Sequence, residues 1–311
     1  MIASALDVWG LDPERIWFFF PFASMVAPEP ESQIGPVRLV RLDWLGWRFI
    51  ERTELVDEHL PPHREIVTAV GLLDAGPAAD AQDGWARYEA KACAARDAAA
   101  TALRLSTNCP VFVEPALIGL YSKQGSISMR SPGPYRQAML SGFFNPGSAP
   151  PVRQTLAEAD RFYQPIRRLL TRRAPELHLP FSLFRRSFDP LLGTGHRLLF
   201  LFATLEGIFL PWTERVAGTT LEDRVGLACR LGGVEPEIDL SGRSLRRLRN
   251  SVAHGEPDPQ RFADQVPLLQ TLVRGALRAW LRFSDAPAQD KSAAGFNEWL
   301  VTPHGSSDGP T

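Results

Sequence analysis

The sequence predicts an α+β N-terminal domain followed by an all-α domain. The chain of 311 residues exceeds the usual domain size of about 100 to 200 residues, and its 44% hydrophobic composition supports well-formed cores. In the first half, short runs rich in Val, Ile, Phe and Trp alternate with Pro- and Gly-containing loops, which is typical of strands. After residue 151 helical spacing replaces that pattern. The predicted domains are residues 1–150 and 151–284, followed by a tail over 285–311.

In the first domain, strands are expected at four apolar runs. These runs are residues 16–22, 37–50, 111–113 and 118–129. The Ala-rich segment 84–105 predicts a helix, because alanine has the most favourable helix propensity. Residues 27–36 are expected to form a loop. Residues 131–151 hold many prolines and glycines with little periodicity, and they are the predicted linker.

The second domain is expected to be all α. Helical patterns cover residues 152–173, 194–210, 220–231, 241–254 and 265–283. Pro211 stops one of these helices, Thr220 followed by acids caps the next, and Gly232-Gly233 closes it. From Ser284 onward the composition turns to Ala, Pro, Ser, Gly and Asp, which predicts a mostly disordered tail.

Cysteine usage and hydropathy narrow the cellular setting. Cys93, Cys109 and Cys229 are far apart and odd in number, so neither a disulfide framework nor a zinc site is indicated, and no cofactor is expected. The early apolar run 16–22 is far shorter than the roughly 18 to 20 residues that span a bilayer. No basic segment precedes it as in a signal peptide. We therefore expect a cytoplasmic protein that is neither exported nor embedded in a membrane.

The charge of the chain is unevenly distributed. The net charge is −1, which gives no general attraction to nucleic acid. Four arginines nevertheless fall within seven positions without an intervening acid: Arg243, Arg246, Arg247 and Arg249. Such a cluster is often only a solvated helix face. Its nearness to the motif described next favours RNA contact by Arg243, Arg246 and Arg247.

The sharpest local pattern is LRRLRNSVAHG, over residues 245–255, late in a predicted helix. At about 100° per residue, two faces of this helix differ in character. One face is apolar and carries Leu245, Leu248 and Val252. The opposite face is polar and carries Arg243, Arg247, Asn250 and His254. The helix is therefore expected to pack with one side and to present the other, with Gly255 and Pro257 ending it.

The polar residues suit chemistry at a phosphodiester. Arginine binds phosphate oxygens with two parallel hydrogen bonds, asparagine can orient a ribose hydroxyl, and imidazole transfers protons near neutral pH. Arg249, however, projects about 140° away from His254 around an ideal helix. The two side chains can converge only through the length of arginine, local unwinding, or a second copy of the chain.

The spacing Arg249-Asn250-x-x-x-His254 resembles the R-N-x-x-x-H signature of HEPN domains. The preceding segments LLFLFATLEGIFLP and EDRVGLACRLGG and the AHG ending resemble the Apea-like branch found in bacterial defence proteins. The resemblance covers roughly residues 194–283 and implies an all-helical HEPN bundle. It does not extend to the N-terminal half.

The resemblance implies a metal-independent endoribonuclease. In such enzymes the ribose 2′-hydroxyl attacks the adjacent phosphate and leaves a cyclic phosphate and a 5′-hydroxyl. Family domains commonly form homodimers with the motif helices facing each other. By this resemblance His254 would transfer protons, Arg249 would stabilise the phosphorane charge, and Asn250 would position the helix or the ribose. The family suggests phage defence or a toxin-like stress response, with the N-terminal domain sensing a trigger or restraining the nuclease.

Glu206 is a further candidate of the same site. It lies inside an otherwise apolar helix, where an unpaired carboxylate is costly, so a cationic partner is expected. Arg249 is the natural candidate and Arg224 is the other option. If Glu206 pairs with Arg249, it would fix the direction of that arginine.

Two readings from other functional classes remain open. The helical domain can be a non-catalytic HEPN module that binds RNA or a partner protein and dimerises. Alternatively, the N-terminal domain carries an activity of its own, and the helical domain only assembles it. For single residues, the plainer roles are capping of the last helical carbonyls by His254 and a structural pairing of Arg249 with Glu206.

Overall fold

A computed structural model describes most of the two predicted regions. The described residues are 9–12, 14–23, 31–41, 67–77, 81–107, 112–113, 118–121, 126–129, 153–171, 175–189, 192–209, 219–238, 240, 244–254, 262–286 and 292–302. The predicted linker over 131–151 lies outside them, as do Arg243, Gly255 and the second half of the predicted strand 37–50.

The chain divides into two units, Met1–Arg172 and Arg173–Thr311. Among the described residues, the first unit contains an antiparallel sheet and two helices, and the second contains six helices and no strand. An α+β region followed by helices is therefore confirmed as the fold class. None of the helices in the described ranges is long and apolar enough to cross a lipid bilayer.

The described strands of the first unit form one sheet. They are β1 (Arg15–Ala23), β2 (Glu31–Ile34), β3 (Val37–Arg41), β4 (Val67–Pro77), β5 (Phe112–Val113), β6 (Ile118–Tyr121) and β7 (Ser126–Met129). Their order is β2-β3-β4-β1-β6-β7, and β5 also pairs with β1. The pairings are antiparallel, with Phe18 opposite Leu73 and Leu120 opposite Ile127. Long β1 and β4 form the centre of the sheet.

Strand β1 shows why this sheet folds. Ile16, Phe18, Phe20 and Phe22 alternate along it, so they point to one face, and each is at most 1% exposed. Helix α1 (Ala81–Ser106) covers this face, with the ring of Phe18 lying 5.4 Å from that of Trp85. The strand predicted over 16–22 and the helix predicted over 84–105 are both confirmed.

Two strands were not expected from the sequence. Strand β2 lies in the segment predicted as a loop, and β4 was not predicted at all. In β4, Gly71 stands opposite Phe20, and a Cβ atom at Gly71 would overlap the rings of Phe20 and Phe22. Glycine is needed there because aromatic rings occupy the space, but glycine also weakens the strand signal of the sequence.

Helix α2 (Arg153–Thr171) belongs to the first unit, whereas the sequence analysis placed residues 152–173 in the second domain. It packs against α1 and β2. Tyr163 is fully buried, and the Asp160 carboxylate accepts a hydrogen bond of 2.7 Å from the backbone N–H of Gly35 in the β2–β3 turn. These tertiary contacts determine where α2 lies, and a boundary drawn from composition could not detect them.

The second unit contains the remaining described helices. They are α3 (Pro175–Arg186), α4 (Thr194–Phe209), α5 (Leu221–Leu231), α6 (Ser244–Ala253), α7 (Gln265–Asp285) and α8 (Ala293–Val301). Helix α4 lies at the centre and contacts α3, α5, α6, α7 and α8. Its buried residues include Leu201, Leu205 and Ile208, so its apolar sequence fills the core of this unit.

Helix α5 begins and ends as its sequence predicts. The Thr220 hydroxyl accepts a hydrogen bond from the Asp223 N–H, and the Asp223 carboxylate accepts one from the Thr220 N–H, which completes a capping box. At the other end, Gly232 packs against the Gly275 carbonyl of α7, and a Cβ at Gly275 would lie 2.8 Å from the Cys229 Sγ atom. Paired glycines thus let α5 and α7 cross closely.

The prediction of a disordered tail from residue 285 is wrong for residues 292–302. Helix α8 forms there, and Ser292 caps it by accepting a hydrogen bond from the Gly295 N–H. Phe296 is fully buried, with its ring 4.5 Å from Trp280 and 5.5 Å from Phe283. These aromatic contacts offset the low helix signal of a Gly- and Ser-containing segment.

Candidate functional site

The motif helix α6 lies on the surface of the second unit with its apolar side against α4. Leu245 is fully buried, and Leu248 and Val252 are half-buried. The described polar residues of the predicted site are exposed: Arg246, Arg247, Arg249, Asn250 and His254. The prediction of one packed side and one presented side is therefore confirmed for the described part of the helix.

Glu206 of α4 and Arg249 of α6 form an ion pair, as the sequence predicted. The Arg249 Nε atom lies 2.7 Å from the Glu206 Oε1 atom, which is a charge-assisted hydrogen bond. This contact joins the motif helix α6 to α4, two helices earlier in the chain. It also sets the direction in which the guanidinium points.

The reason for that pairing differs from the one expected. The Glu206 side chain is 28% exposed and that of Arg249 is 45% exposed. Glu206 lies on the outer side of α4, three residues from half-buried Ala203 and seven from exposed Leu199, rather than in the apolar core. Water therefore reaches both charges, and their pairing orients Arg249 more than it stabilises the fold.

Arg224, the other predicted partner of Glu206, has a different role. Its side chain is buried and donates hydrogen bonds to the Thr219 hydroxyl, the Phe209 carbonyl and the Asn297 side chain. Burial lowers the pKa of Arg224, although a guanidinium remains charged at neutral pH. Arg224 thus joins α5 to the end of α4 and to α8, and it does not support the site through Glu206.

Within one chain, helical spacing directs Arg249 and His254 away from each other, and no hydrogen bond joins these two described residues. The His254 N–H donates a 2.9 Å hydrogen bond to the Asn250 carbonyl, so the helical path continues unbroken to His254. At about 100° per residue, Arg249 and His254 then project about 140° apart. Asn250 and His254, four residues apart, share one side of the helix. Local unwinding, one of the three routes considered for convergence, is absent from this helix.

Three further groups among the described residues bear on the chemistry of the site: the His254 imidazole, the candidate metal ligands and the Cys229 thiol. The His254 imidazole makes no hydrogen bond with any described residue, so capping of the last carbonyls is not seen among them. In the described ranges, no group of three or more His, Cys, Asp or Glu residues is placed to hold a metal ion. Burial raises the pKa of Cys229 to about 12, so this thiol is protonated at neutral pH and is no nucleophile.

A second basic group was not identified from the sequence. Arg278 and Arg282 lie four residues apart on α7, so they share one side of that helix. Their Nη2 atoms both reach the position where a Cβ of Gly233 would stand, at 3.8 and 3.7 Å respectively. The spacing was visible in the sequence, but the approach to Gly233 depends on how α7 packs against α5.

Comparisons of the chain with protein-family models, with curated protein sequences and with solved structures give no match. The resemblance to HEPN domains therefore rests on the motif residues and on the helices that carry them. The site that these residues define is a surface helix with an ion-paired arginine, an asparagine and a histidine.

Proposed function

We propose that this chain is a metal-independent endoribonuclease of the HEPN type, with Arg249 and Asn250 of α6 and His254 directly after it as its site residues. The observation that carries the proposal is the arrangement around α6. The motif side chains are exposed, and Glu206 of α4 directs the arginine through a 2.7 Å contact. The exposed motif side chains are therefore accessible to an RNA strand, as a reacting site on this helix requires.

Each motif residue has a separate proposed role in RNA cleavage. The ribose 2′-oxygen attacks the adjacent phosphorus and the bond to the 5′-oxygen breaks, which leaves a cyclic phosphate and a 5′-hydroxyl. His254 transfers protons, since the attacking 2′-hydroxyl loses a proton and the leaving 5′-oxygen gains one. Arg249 stabilises the charge on the phosphorane oxygens, and Asn250 orients the ribose or the helix. Exposed Arg246 and Arg247 contact neighbouring phosphates.

The active form is proposed to be a homodimer. Arg249 and His254 project about 140° apart on one helix, and Glu206 holds the Arg249 guanidinium in its own direction, so the proposed cleft is lined by residues from two copies. Leu199 lies on the same outer side of α4 as Glu206 and is 38% exposed, which provides an apolar contact for a second copy. Two facing α6 helices then supply an arginine from one copy and a histidine from the other.

The second candidate function is a non-catalytic module that binds RNA or a partner protein and dimerises. The observation favouring it is that Arg249 is already engaged by Glu206 and diverges from His254 within the chain. An arginine held by a carboxylate can be a structural element, while the exposed Arg246 and Arg247 attract phosphate groups without cleavage.

The biological setting follows from the family rather than from the geometry. We propose a role in phage defence or in a toxin-like stress response, in which the α+β unit senses a trigger or restrains the nuclease. Deleting the gene and then challenging the host with phage tests this role separately from the chemistry.

Cleavage of total bacterial RNA by the purified full-length chain in EDTA tests the chemistry. Wild type is compared with Arg249→Ala and His254→Ala, and the ends of the products are mapped. Arg186→Ala and His178→Ala are matched controls, because both residues are exposed on α3 and neither belongs to the motif. Wild type and both controls are expected to leave cyclic-phosphate ends, whereas the two motif variants are expected to be inactive.

Mixing the two inactive variants tests the shared site. If one copy supplies arginine and the other histidine, a mixture of Arg249→Ala and His254→Ala recovers part of the activity. If wild type cleaves no RNA, including tRNA, mRNA and RNA from phage-infected cells, the non-catalytic module becomes the preferred function.

A further inference from the structure

We infer that Arg247 binds the phosphate on the 5′ side of the attacking ribose and forms, with Asn250 and His254 of the same chain, one half of the site. This inference rests on the proposed function and deepens it. It assigns Arg247 to one defined phosphate and sets the direction of the RNA strand along α6. A binding measurement that does not depend on cleavage is part of its test.

Arg247, Asn250 and His254 lie on one exposed ridge of the motif helix. They are spaced by three and four residues, and such residues are neighbours on a helix surface. Arg247 and His254 are only about 20° apart around the helix axis. The 2.9 Å hydrogen bond from the His254 N–H to the Asn250 carbonyl keeps His254 on the helical path. Since all three residues are exposed, a strand lying along the ridge meets them in chain order.

The two neighbouring arginines do not share this ridge with the histidine. Arg249 is about 140° from His254 around the axis, and Arg246 is about 80° from it. The Arg249 Nε atom also lies 2.7 Å from the Glu206 Oε1 atom. Arg247 is exposed and forms no ion pair with any described residue. Arg247 is therefore the arginine of α6 that can bind the same stretch of RNA as His254 within one chain.

The distances along the ridge decide which phosphate Arg247 reaches. At about 1.5 Å per residue, Arg247 is about 10 Å from His254 along the axis, and Asn250 lies between them. In the proposed reaction His254 transfers protons at the cleaved phosphate, which is attached to the 3′ side of the attacking ribose. If Asn250 orients that ribose, the cleaved phosphate lies toward His254. The phosphate on the 5′ side then lies toward Arg247.

The chemistry of arginine suits this second phosphate. Its planar guanidinium donates two parallel hydrogen bonds to phosphate oxygens, and these bonds are strengthened by the opposite charges. The phosphate on the 5′ side does not react and keeps its charge throughout the reaction. Arg247 therefore binds it equally in the substrate and in the transition state, so its loss raises KM and leaves kcat nearly unchanged.

Cleavage of dinucleotides tests the assignment, because each dinucleotide contains a single scissile bond. One substrate carries a 5′-phosphate, a second has free hydroxyls at both ends, and a third carries a 3′-phosphate. The full-length wild type is compared with Arg247→Ala. Arg246→Ala removes the same charge from the next residue of the same helix and is the matched control. Thermal unfolding of each variant shows whether the fold is retained.

Wild type is expected to have a KM about tenfold lower for the 5′-phosphorylated dinucleotide, the factor that one hydrogen bond to a charged group provides. Arg247→Ala should have the same KM for the substrates with and without the 5′-phosphate. Arg246→Ala should retain the preference, even where its affinity for longer RNA is lower. The 3′-phosphate should give no preference that depends on Arg247.

Mixtures of two inactive chains test whether Arg247 acts with His254 of its own chain. In the proposed dimer of Arg249→Ala and His254→Ala, the active cleft uses the histidine of the first chain and the arginine of the second. Adding Arg247→Ala to the Arg249→Ala chain should therefore abolish the preference for the 5′-phosphate. Adding it to the His254→Ala chain should preserve the preference. The reverse pattern would place Arg247 opposite His254 in the dimer and overturn the inference.

Binding is measured with 2′-fluoro analogues of the same dinucleotides, which lack the attacking hydroxyl and are not cleaved. Wild type should bind the 5′-phosphorylated analogue about tenfold more tightly than the unphosphorylated one. Arg247→Ala should bind both analogues equally. A wild type that shows this preference but cleaves no RNA refutes the ribonuclease and leaves the binding of the 5′-phosphate by Arg247 standing.

Four further results overturn the inference. They are equal KM values of wild type for the dinucleotides with and without the 5′-phosphate, no preference between the analogues, an equal loss of preference in Arg246→Ala and Arg247→Ala, and a preference for the 3′-phosphate that depends on Arg247. A lower kcat of Arg247→Ala with an unchanged preference would place this arginine at the cleaved phosphate and likewise overturn the assignment. Cleavage by wild type in any of these cases leaves the proposed ribonuclease standing.

Discussion

Replacing Glu206 with glutamine removes the negative charge opposite Arg249 and keeps the shape of the side chain. The two side chains are 28% and 45% exposed, so water screens their attraction. Two unit charges 4 Å apart attract by about 1 kcal/mol in water, and exposed pairs in proteins contribute about 0.2 to 1 kcal/mol. We expect Glu206→Gln to lower the free energy of unfolding by no more than about 1 kcal/mol.

A double-mutant cycle measures the pair directly. The variants are Glu206→Gln, Arg249→Gln and both together, and each is unfolded in urea as the full-length chain. Leu245→Ala, which removes the buried anchor of α6, identifies the transition that belongs to the second unit. The coupling energy between the two residues should be about 0.2 to 1 kcal/mol and should shrink as salt is added. A coupling of about 3 kcal/mol or more that salt does not change would indicate a desolvated pair and refute the reasoning.

The Glu206→Gln variant also distinguishes an effect on the orientation of Arg249 from an effect on the stability of the fold. If the pair orients Arg249 for catalysis, Glu206→Gln lowers the rate of RNA cleavage more than its small loss of stability can explain. Glu298→Gln, at an exposed position of α8, is the matched control. Equal cleavage rates for wild type and Glu206→Gln would show that the ion pair has no positioning role.

Three further predictions concern the core of the second unit. Gly275→Ala should destabilise the protein by about 1 to 3 kcal/mol, because its Cβ would lie 2.8 Å from the Cys229 Sγ atom. Gly226→Ala, whose Cβ meets nothing closer than 3.5 Å, should stabilise it by about 0.5 to 1 kcal/mol. Urea unfolding compares the two variants, and a change of the same sign in both free energies of unfolding would contradict the close crossing of α5 and α7. Phe296→Ala should cost about 3 to 5 kcal/mol in the same assay, against little for exposed Glu298→Ala, and a small cost at Phe296 would mean that α8 does not pack as described. Burial raises the pKa of Cys229 to about 12, above the ordinary value of 9.0, so the stability from its neutral thiol is lost as the pH rises from 9 toward 12. At pH 8 a thiol reagent should therefore titrate the same number of groups in native wild type and Cys229→Ala, and one fewer in the variant only after denaturation; an extra reactive thiol in native wild type would contradict this.

Local patterns predicted the elements whose signals lie within a few neighbouring residues. The richness of residues 16–22 in Ile, Phe and Trp predicted β1, because such residues are enriched in strands. Thr220 and Gly232 predicted both ends of α5, because caps satisfy backbone groups within one turn. The divergence of Arg249 and His254 also follows from helical spacing alone.

The sequence did not predict elements in which a glycine or proline weakens the local signal for a strand or helix. Gly71 obscured β4, Pro180 lies inside the unpredicted helix α3, and Gly295 lies within the segment assigned to a disordered tail. In β4 and α8 the stabilising contacts come from aromatic residues distant in the chain, such as Phe20 and Trp280. A short window of sequence contains the residue that weakens the element but not the residues that compensate for it.

The sequence by itself determined the motif on α6, its exposed and packed sides, and the cationic partner expected for Glu206. Only the tertiary structure decided which arginine that partner is, because the choice between Arg249 and Arg224 depends on which helix packs beside α4. It also decided that Arg278 and Arg282 both approach Gly233, since their approach follows from the close crossing of α5 and α7. Helical spacing orders residues along one element, whereas contacts between elements depend on how all the apolar faces are buried together.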